Sequence, residues 1–383
     1  MKQKEPAINV VCFIILGWVN NFGYSVMLSA AKHMMAGKAP TSTVLLCDIL
    51  PCFCVKLIFP FFLEKIIYPV KVISVVLLAI LGFLLATFSE QSTGIALTGV
   101  VCHSLSSGLG EITYLAYSAK FSTACVSAWS CGTGLAGITA SGIYAILSDV
   151  FHVDLKIILY VFLPIPLLML EAYFISNPKF SPKSQQQQSE VESIIETETT
   201  PLVKQQPEFT SLTFKDKMRS LLGIWQFLLS LFLVYVSEYM INQSVNAVID
   251  FKGSYQNMFY SFSQFAYQTG VFISRSSLVL FKLPANLVMI PSLLQFFNLV
   301  LFSFQAEYLF IPWFWLMMAL VFIEGLWGGL VYVDAMYWIS MSSQGGVKEF
   351  RMSIASLFNS FGILTASFIG FWLEPYLKAH KKW

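Results

Sequence analysis

The sequence has little charge for its length. Only 11% of its 383 residues are Asp, Glu, Lys or Arg, whereas 56% are hydrophobic and 16% are aromatic. A soluble domain carries about a quarter charged residues, so this composition excludes a soluble globule. The formal net charge is +2 and the basic residues form no stripe, which argues against a nucleic-acid-binding protein and against a cationic peripheral helix. The composition indicates a protein embedded in the lipid bilayer.

The sequence also lacks the usual motifs of enzymes and metal sites. It contains no HExxH, GxSxG or P-loop, and its seven cysteines form no CxxC pair. GTGLAG at 132–137 matches a dinucleotide fingerprint only in its letters, because it opens an apolar helix instead of following a strand. Its Gly132, together with Ala136 and Ala140, gives a small-residue face for close helix packing. We therefore predict no enzyme, no cofactor and no metal.

Apolar windows of about 20 residues predict the topology. They lie near 7–31, 42–63, 70–89, 93–119, 123–148, 154–176, 219–244, 255–281, 285–305, 309–341 and 350–377. The sequence thus predicts an all-α polytopic membrane protein with about eleven transmembrane helices. With the N-terminus in the cytosol, fifteen of the 23 Lys and Arg residues lie inside and seven outside, as the positive-inside rule requires. The C-terminus is then expected outside the cytosol or in an organelle lumen.

Residues 177–218 differ from the rest of the chain because they are rich in Gln, Ser, Glu and Pro, which predicts a disordered cytosolic linker. The linker would divide the chain into a six-helix bundle at 1–176 and a five-helix bundle at 219–383. This is the plan of the major facilitator superfamily with its last helix missing. GITAS at 137–141 is echoed by GILTAS at 362–367. Parallel repeats would relate the fifth predicted helix to the eleventh, the first to the seventh and the fourth to the tenth.

Ionisable residues within the predicted helices indicate function. A charge at the bilayer centre costs about 2.5 to 3.5 kcal/mol, so each must be paired or useful. Asp48 and Lys56 share the second predicted helix, about 12 Å apart along its axis. They cannot pair with each other, so each needs a partner on another helix, water or a ligand.

Other predicted helices carry polar clusters. His103, Ser107 and Glu111 form a stripe on the fourth helix along which a proton could move, although His103 could instead only bond a neighbouring helix. Arg275 could hold a substrate anion or be a snorkelling anchor. The polar clusters of the first and seventh helices suggest a shared cavity. We predict a substrate and proton pathway through Asn20, Asn21, Tyr24, Asp48, Lys56, Ser107, Glu111, Glu238, Gln268, Arg275 and Glu324.

Several segments together resemble the battenin family. They are NNFGYSVMLSAA at 20–31, VLLCDILPCFCVKLI at 44–58, SSGLGEITYL at 106–115, WSCGTGLAG at 129–137, EYMINQ at 238–243, YQTGVFISRSSL at 267–278 and EGLWGG at 324–329. The resemblance implies a multi-pass lysosomal or vacuolar membrane protein with a facilitator-like fold, linked to lysosomal pH homeostasis and vesicle trafficking. It implies glycerophosphodiesters or basic amino acids such as arginine as cargo. The family positions matched here are Asn20, Asn21, Asp48, Lys56, Glu111, Glu238, Gln268, Arg275 and Glu324.

The resemblance is incomplete at the sorting signals. Family members often carry an acidic dileucine signal for sorting adaptors in the linker, and the nearest match here is Glu198 with Leu202 and Val203. The C-terminal AHKKW has no cysteine for prenylation. A lysosomal membrane location is therefore an expectation from the resemblance.

Two functions remain open at this point. In the first, two helix bundles alternate around a cavity and export a small polar substrate, with Glu111 or Glu324 exchanging protons with the lumen and Lys56, with Arg275, holding an anionic phosphate. In the second, the protein is a non-transporting membrane scaffold that recruits trafficking proteins through the 177–218 linker. The expected partners are the lipid bilayer, a small polar substrate, protons and sorting adaptors, and no nucleic acid.

Overall fold

A computed structural model of the chain describes residues 5–59, 66–118, 120–121, 123–176, 219–252, 255, 257–276, 282–342 and 345–383. Within these residues the protein is helical and contains no β-strand, as the all-α prediction requires. The predicted linker at 177–218 lies outside the described residues, and so do its candidate sorting residues Glu198, Leu202 and Val203.

The helices follow the predicted apolar windows closely. They are α1 (Ala7–Ser29), α2 (Ala31–Met35), α3 (Ser42–Ile58), α4 (Tyr68–Ala86), α5 (Thr93–Ser118), α6 (Thr123–Ala145), α7 (Leu155–Phe162), α8 (Leu167–Ile175), α9 (Trp225–Met240), α10 (Phe259–Ser276), α11 (Met289–Tyr308), α12 (Phe314–Met341) and α13 (Gly345–Ala379). Short π-helical turns at Ile146–Val150 and Ile241–Val245 continue α6 and α9.

Eight segments of the described chain are long and apolar enough to cross a membrane by length and composition. The helices α3, α9 and α10 are not among them, because α3 and α9 are short and α10 is rich in polar residues. The predicted number of eleven spans therefore stays a prediction. One predicted span, 154–176, is divided into α7 and α8 where Pro164 and Pro166 interrupt the backbone hydrogen bonds.

Helix pairing recurs along the chain. We use N-terminal half for the helices up to residue 176 and C-terminal half for those from residue 219. In the N-terminal half α1 packs on α6 and α3 packs on α5, whereas in the C-terminal half α9 packs on α13 and α10 packs on α12. These pairs join the first helix of each half to its fifth and the second to its fourth. The repeated pairing agrees with the parallel repeat predicted from GITAS and GILTAS.

The α1–α6 contact depends on glycine. A Cβ atom added at Gly132 would overlap the carbonyl oxygen of Ile14, and one added at Gly17 would overlap that of Trp129. The two backbones therefore touch directly, as in other membrane helix pairs with small residues at the contact. Ala136 and Ala140 are fully buried, so the predicted small-residue face is confirmed.

The two halves meet along α6 with α10 and along α3 with α13. Side chains at this junction determine the shape of the central cavity.

Candidate functional site: a central cavity

A polar cavity lies between the two halves. It holds about 1100 Å³ of space between atoms, including the part open to solvent, and α1, α3, α5, α6, α9, α10, α12 and α13 contribute to its wall. Most of the predicted pathway residues line this cavity. They are Asn21, Tyr24, Asp48, Lys56, Ser107, Glu111, Gln268 and Arg275.

Lys56 is paired with a carboxylate from another helix. On α3, Asp48, Cys52 and Lys56 recur at every fourth position, so all three face the cavity. The Lys56 Nζ atom lies 2.6 Å from Glu111 Oε2 on α5. The side chains keep 23% and 31% of their surface exposed, so the pair is only partly desolvated. Of the partners that the sequence left open for Lys56, which were another helix, water or a ligand, the structure shows a carboxylate on another helix.

Asp48 lies deeper in the cavity wall and is 3% exposed. Its Oδ1 atom has no hydrogen-bond partner among the described residues. A buried carboxylate oxygen without a donor is costly. Asp48, like Asn359, therefore contributes to this wall an unpartnered acceptor for a cationic or hydrogen-bonding ligand.

A hydroxyl group inserted into α3 fixes the position of Asp48. The Cys52 N–H donates to Ser104 Oγ at 2.9 Å, and the Ser104 hydroxyl donates to the Asp48 carbonyl oxygen. Ser104 thus bonds both backbone groups of this helical turn, beside Pro51, which has no N–H of its own.

Arg275 brings a second cation into the cavity from the C-terminal half. Its guanidinium carbon lies 4.4 Å from the centre of the Tyr332 ring, and its Nη2 atom donates to the Tyr235 hydroxyl at 3.4 Å. The Nε atom has no partner within the described part of the chain. The guanidinium lies in the cavity wall, which is not where a snorkelling anchor would extend. Lys56 and Arg275 thus face the same space from different halves.

Three predicted pathway residues lie in the helix packing and not in the cavity wall. Asn20 is buried and donates from Nδ2 to the Ser107 carbonyl oxygen at 3.2 Å. The Asn20 side chain points about 100° away from the Asn21 side chain around the helix axis, because consecutive residues of a helix are rotated by that angle. Glu238 and Glu324 are 2% and 0% exposed and lie inside the C-terminal half. Their roles in a pathway stay predictions.

His103 also lies outside the cavity wall. Its ring packs edge-on against Phe83 at a centroid distance of 4.5 Å, beneath Gly23. The cavity face of the predicted stripe is therefore formed by Ser107 and Glu111 only.

The cavity is closed at the end where α1 finishes and α3 begins. The hydroxyl groups of Tyr24 and Tyr239 hydrogen-bond each other across the two halves. The Tyr260 hydroxyl donates to the Leu28 carbonyl oxygen at 2.8 Å. Polar side chains thus join the halves here, at the end opposite to Lys56.

A second group of bonds reinforces this closure. The Thr41 N–H donates to Glu374 Oε2 at 2.6 Å, and the Thr41 hydroxyl contacts both that carboxylate and the Gln243 carbonyl oxygen. Lys378 binds the other Glu374 oxygen at 2.6 Å. The Glu374 carboxylate is therefore a fully satisfied bridge between the halves.

Sequence reasoning missed several residues of the cavity wall. They are Ser104, Tyr235, Tyr239, Tyr267, Tyr332, Ser356, Asn359 and Ser360. The tyrosines were overlooked because a tyrosine within an apolar run contributes to hydrophobicity, although its hydroxyl is polar. Two signals were present in the sequence: Tyr235 and Tyr239 lie four residues apart, and Asn359 and Ser360 interrupt the apolar run LF–FGIL around them.

Comparison with solved structures defines the class of protein. A bacterial homologue of the human lysosomal transporter Spinster, in an inward-facing and unoccupied conformation, aligns over 96% of this chain and 83% of its own, with a TM-score of 0.61 and 12% identity. A point mutant of the nucleoside transporter NupG aligns over 97% of this chain and 96% of its own, with a TM-score of 0.62 and 11% identity. The protein therefore shares the fold of these two transporters.

Sequence comparison identifies the family. Residues 11–380 match the model of the CLN3 protein family. Protein BTN1 of Yarrowia lipolytica is 35% identical over 98% of this chain and 96% of its own length. Battenin of Canis lupus familiaris is 31% identical over 96% of this chain and 91% of its own. The chain belongs to the CLN3, or battenin, family, as the resemblance predicted.

Proposed function

We propose that the protein is a lysosomal or vacuolar carrier that exports a small polar metabolite by alternating access, linked to protons and supporting lysosomal pH homeostasis. One observation carries the proposal: a cavity between two helical halves contains charges of both signs and is closed at one end by bonds between the halves. A fixed scaffold has no need of such a cavity, since unpaired polar groups inside a membrane protein cost free energy.

The charges of the cavity match a substrate with an anionic group. Lys56 and Arg275 would hold a phosphate or carboxylate from opposite sides of the cavity, because both are donors with no acceptor role. The anion would compete with Glu111 for Lys56, so substrate binding would open the existing ion pair.

The second group of the substrate would be cationic or hydroxyl-bearing. Asp48 offers an unpartnered acceptor, and the tyrosines of the wall offer hydroxyls and ring faces that attract cations. A glycerophosphodiester with a cationic head would use both signs of charge. Arginine would place its guanidinium on the carboxylates and its own carboxylate on Lys56.

The orientation follows from the charge rule. The end of the cavity near Lys56 is the end at which α1 begins and α3 finishes. If the N-terminus is cytosolic, as the distribution of Lys and Arg predicts, this conformation is open to the cytosol and closed to the lumen.

Flux through reconstituted vesicles tests the proposal. Purified protein would be supplied with labelled glycerophosphocholine or arginine under a pH gradient. Lys56→Gln and Arg275→Gln are each expected to lower flux by about tenfold or more, because a hydrogen bond to a charged group contributes about 1.5 to 3 kcal/mol. Asp48→Asn should reduce arginine and glycerophosphocholine flux and spare glycerophosphoglycerol, which has no cationic group.

Lys38→Gln is the matched control, since Lys38 is an exposed lysine outside the cavity. Unchanged flux in Lys56→Gln and Arg275→Gln would contradict the proposal. A second result would also contradict the proposal: the Lys56→Gln and Arg275→Gln variants keep cellular function while deletion of 177–218 abolishes it. A scaffold that acts through the linker predicts that result.

A further inference from the structure

The C-terminal half contains a second polar cluster, separate from the cavity wall and formed around two carboxyl groups. Asn242 follows Glu238 by one helical turn at the π-helical end of α9, and its Nδ2 atom donates to Glu324 Oε1 on α12 at 2.7 Å. Gln295 on α11 donates to the same oxygen at 3.3 Å. Asn242 also donates to the Glu238 carbonyl oxygen at 2.9 Å, so this amide connects the two acidic residues.

This cluster contains buried hydrogen-bond acceptors that have no donor. Glu238 Oε2, Glu324 Oε2 and Asn242 Oδ1 are buried acceptors without a donor among the described residues. Each of the three residues is 3% exposed or less. The amide donors nearby are already directed at Glu324 Oε1 and at backbone oxygens. The amide donors of the cluster therefore leave these three acceptors unsatisfied.

The two carboxyl groups also lack an ion-pair partner among the described residues. None of the described ion pairs includes Glu238 or Glu324. The groups that face the pair are the hydroxyls of Tyr235, Tyr239 and Tyr267, the amide of Gln295 and the guanidinium of Arg275. Arg275 interacts electrostatically with Glu238, but its guanidinium is directed at Tyr235 and Tyr332. Two ionised carboxylates in this apolar interior would leave one charge unpaired.

One bound proton would remove the unpaired charge and supply the missing donor. A protonated carboxyl group loses its charge and gains an O–H donor. The orphaned acceptors belong to the same cluster, so one proton would remove a buried charge and also supply the donor that the cluster lacks. From this geometry we infer that Glu324 and Glu238 together hold one exchangeable proton at a site distinct from the substrate cavity.

A route connects this site to the cavity. Tyr267 lines the central cavity and also a small pocket of about 200 Å³ that includes Asn242, and it interacts with Glu238. Its hydroxyl can accept a proton from one side and donate one to the other. Glu111, in contrast, is already paired with Lys56. The proton therefore belongs to Glu324 with Glu238, and Glu111 belongs to the substrate side.

Infrared spectroscopy of the full-length protein in lipid nanodiscs, without substrate, tests the site itself. We expect a component of the protonated-carboxyl stretching band at neutral pH that shifts on deuteration and is lost in Glu324→Gln or in Glu238→Gln. Components from other buried carboxyl groups with an unpartnered oxygen, such as Asp334, should remain. Glu374→Gln is the control, because Glu374 is equally buried but is satisfied by Thr41 and Lys378. This variant should keep the band.

Two results would overturn the inference. One is the absence of a protonated-carboxyl band. The other is a band that is the same in the wild-type protein, in Glu324→Gln and in Glu238→Gln. If the band is absent and sodium chloride raises the Tm where potassium chloride does not, the site holds a metal cation instead of a proton.

Coupling of this proton site to transport rests on the proposed function and is tested by a separate flux measurement. In vesicles, Glu324→Gln should abolish the stimulation of flux by a proton gradient. If the infrared band behaves as expected but the wild-type protein carries no substrate, the proton site stands and the carrier proposal fails. If flux is gradient-driven but independent of Glu324, the carrier proposal stands and the proton site is excluded from coupling.

Discussion

Lys56 remains in the interior of the protein because Glu111 neutralises it. The pair is about a quarter exposed, so water screens part of the attraction. Removing one partner leaves the other charge unpaired in a poorly solvated wall. The free energy lost in this way is larger than the attraction between the two charges. The stability of the protein therefore depends on the pair more than on either residue.

A double-mutant cycle measures this dependence. Lys56→Met and Glu111→Gln should each lower the free energy of unfolding. The double variant should be less destabilised than the sum of the two, by about 1 kcal/mol, since contacting residues are not additive. Thermal unfolding of the four proteins in one detergent provides the comparison.

Lys38→Met combined with Glu111→Gln is the matched cycle, because Lys38 is exposed and its side chain is directed at the Glu90 carbonyl oxygen. Additive effects are expected there. Additivity in the Lys56 cycle as well would mean that the ion pair contributes nothing to stability.

Glycine determines how closely α1 and α6 approach. At Gly132 an added methyl group would meet the α1 backbone, which cannot move aside as a flexible side chain can. At Gly134, two residues further along the same helix, it would meet only the edge of the Phe272 ring at 3.4 Å. The two glycines differ in their surroundings and not in their helical conformation.

The difference predicts opposite outcomes for one substitution. Gly132→Ala should lower the free energy of unfolding by about 1 to 3 kcal/mol, the usual cost of overpacking. Gly134→Ala should be neutral or slightly stabilising, because alanine favours a helix more than glycine does. Thermal unfolding in detergent compares them, and equal Tm values for the two variants would contradict the packing argument.

The whole molecule is held in its present conformation by contacts at the closed end. Gly370 of α13 lies there against the start of α3, and a Cβ atom added to it would be 3.1 Å from Ser42 Cβ. This is close to the Cβ separation of a disulfide, about 3.5 to 4.5 Å. The two halves can therefore be joined covalently at this point.

A variant with Ser42→Cys and Gly370→Cys, and with the seven native cysteines replaced, should form this disulfide. Ser244→Ala is added because the new Cβ would overlap Ser244 Oγ. If the halves separate here during transport, oxidation should abolish flux and reduction should restore it. The disulfide is verified by mass spectrometry, and each single cysteine variant is the control. Full flux in the oxidised protein would show that the closed end does not open.

Much of the architecture could be predicted from the sequence, because length and hydropathy determine where a chain crosses a bilayer. The helix boundaries and the small-residue face on α6 followed from local pattern. The partner of Lys56 did not, since the sequence excluded Asp48 but left another helix, water and a ligand open until the helices were packed. Tyr235 and Tyr239 were missed because hydropathy does not distinguish a tyrosine in a core from one in a wet cavity.

The sequence by itself determined that the chain is a helical membrane protein of the battenin family and which polar residues it keeps within its apolar runs. Only the tertiary structure decided which of them share a space. Asn20 and Asn21 are adjacent in sequence, yet the Asn20 side chain is buried between helices while Asn21 lines the cavity. Glu324 and Lys56 are equally unusual in a membrane helix, yet only Lys56 lines the cavity. The physical reason is that the cost of burying a polar group depends on the residue itself, whereas its partner depends on the rotation and packing of helices far apart in the chain.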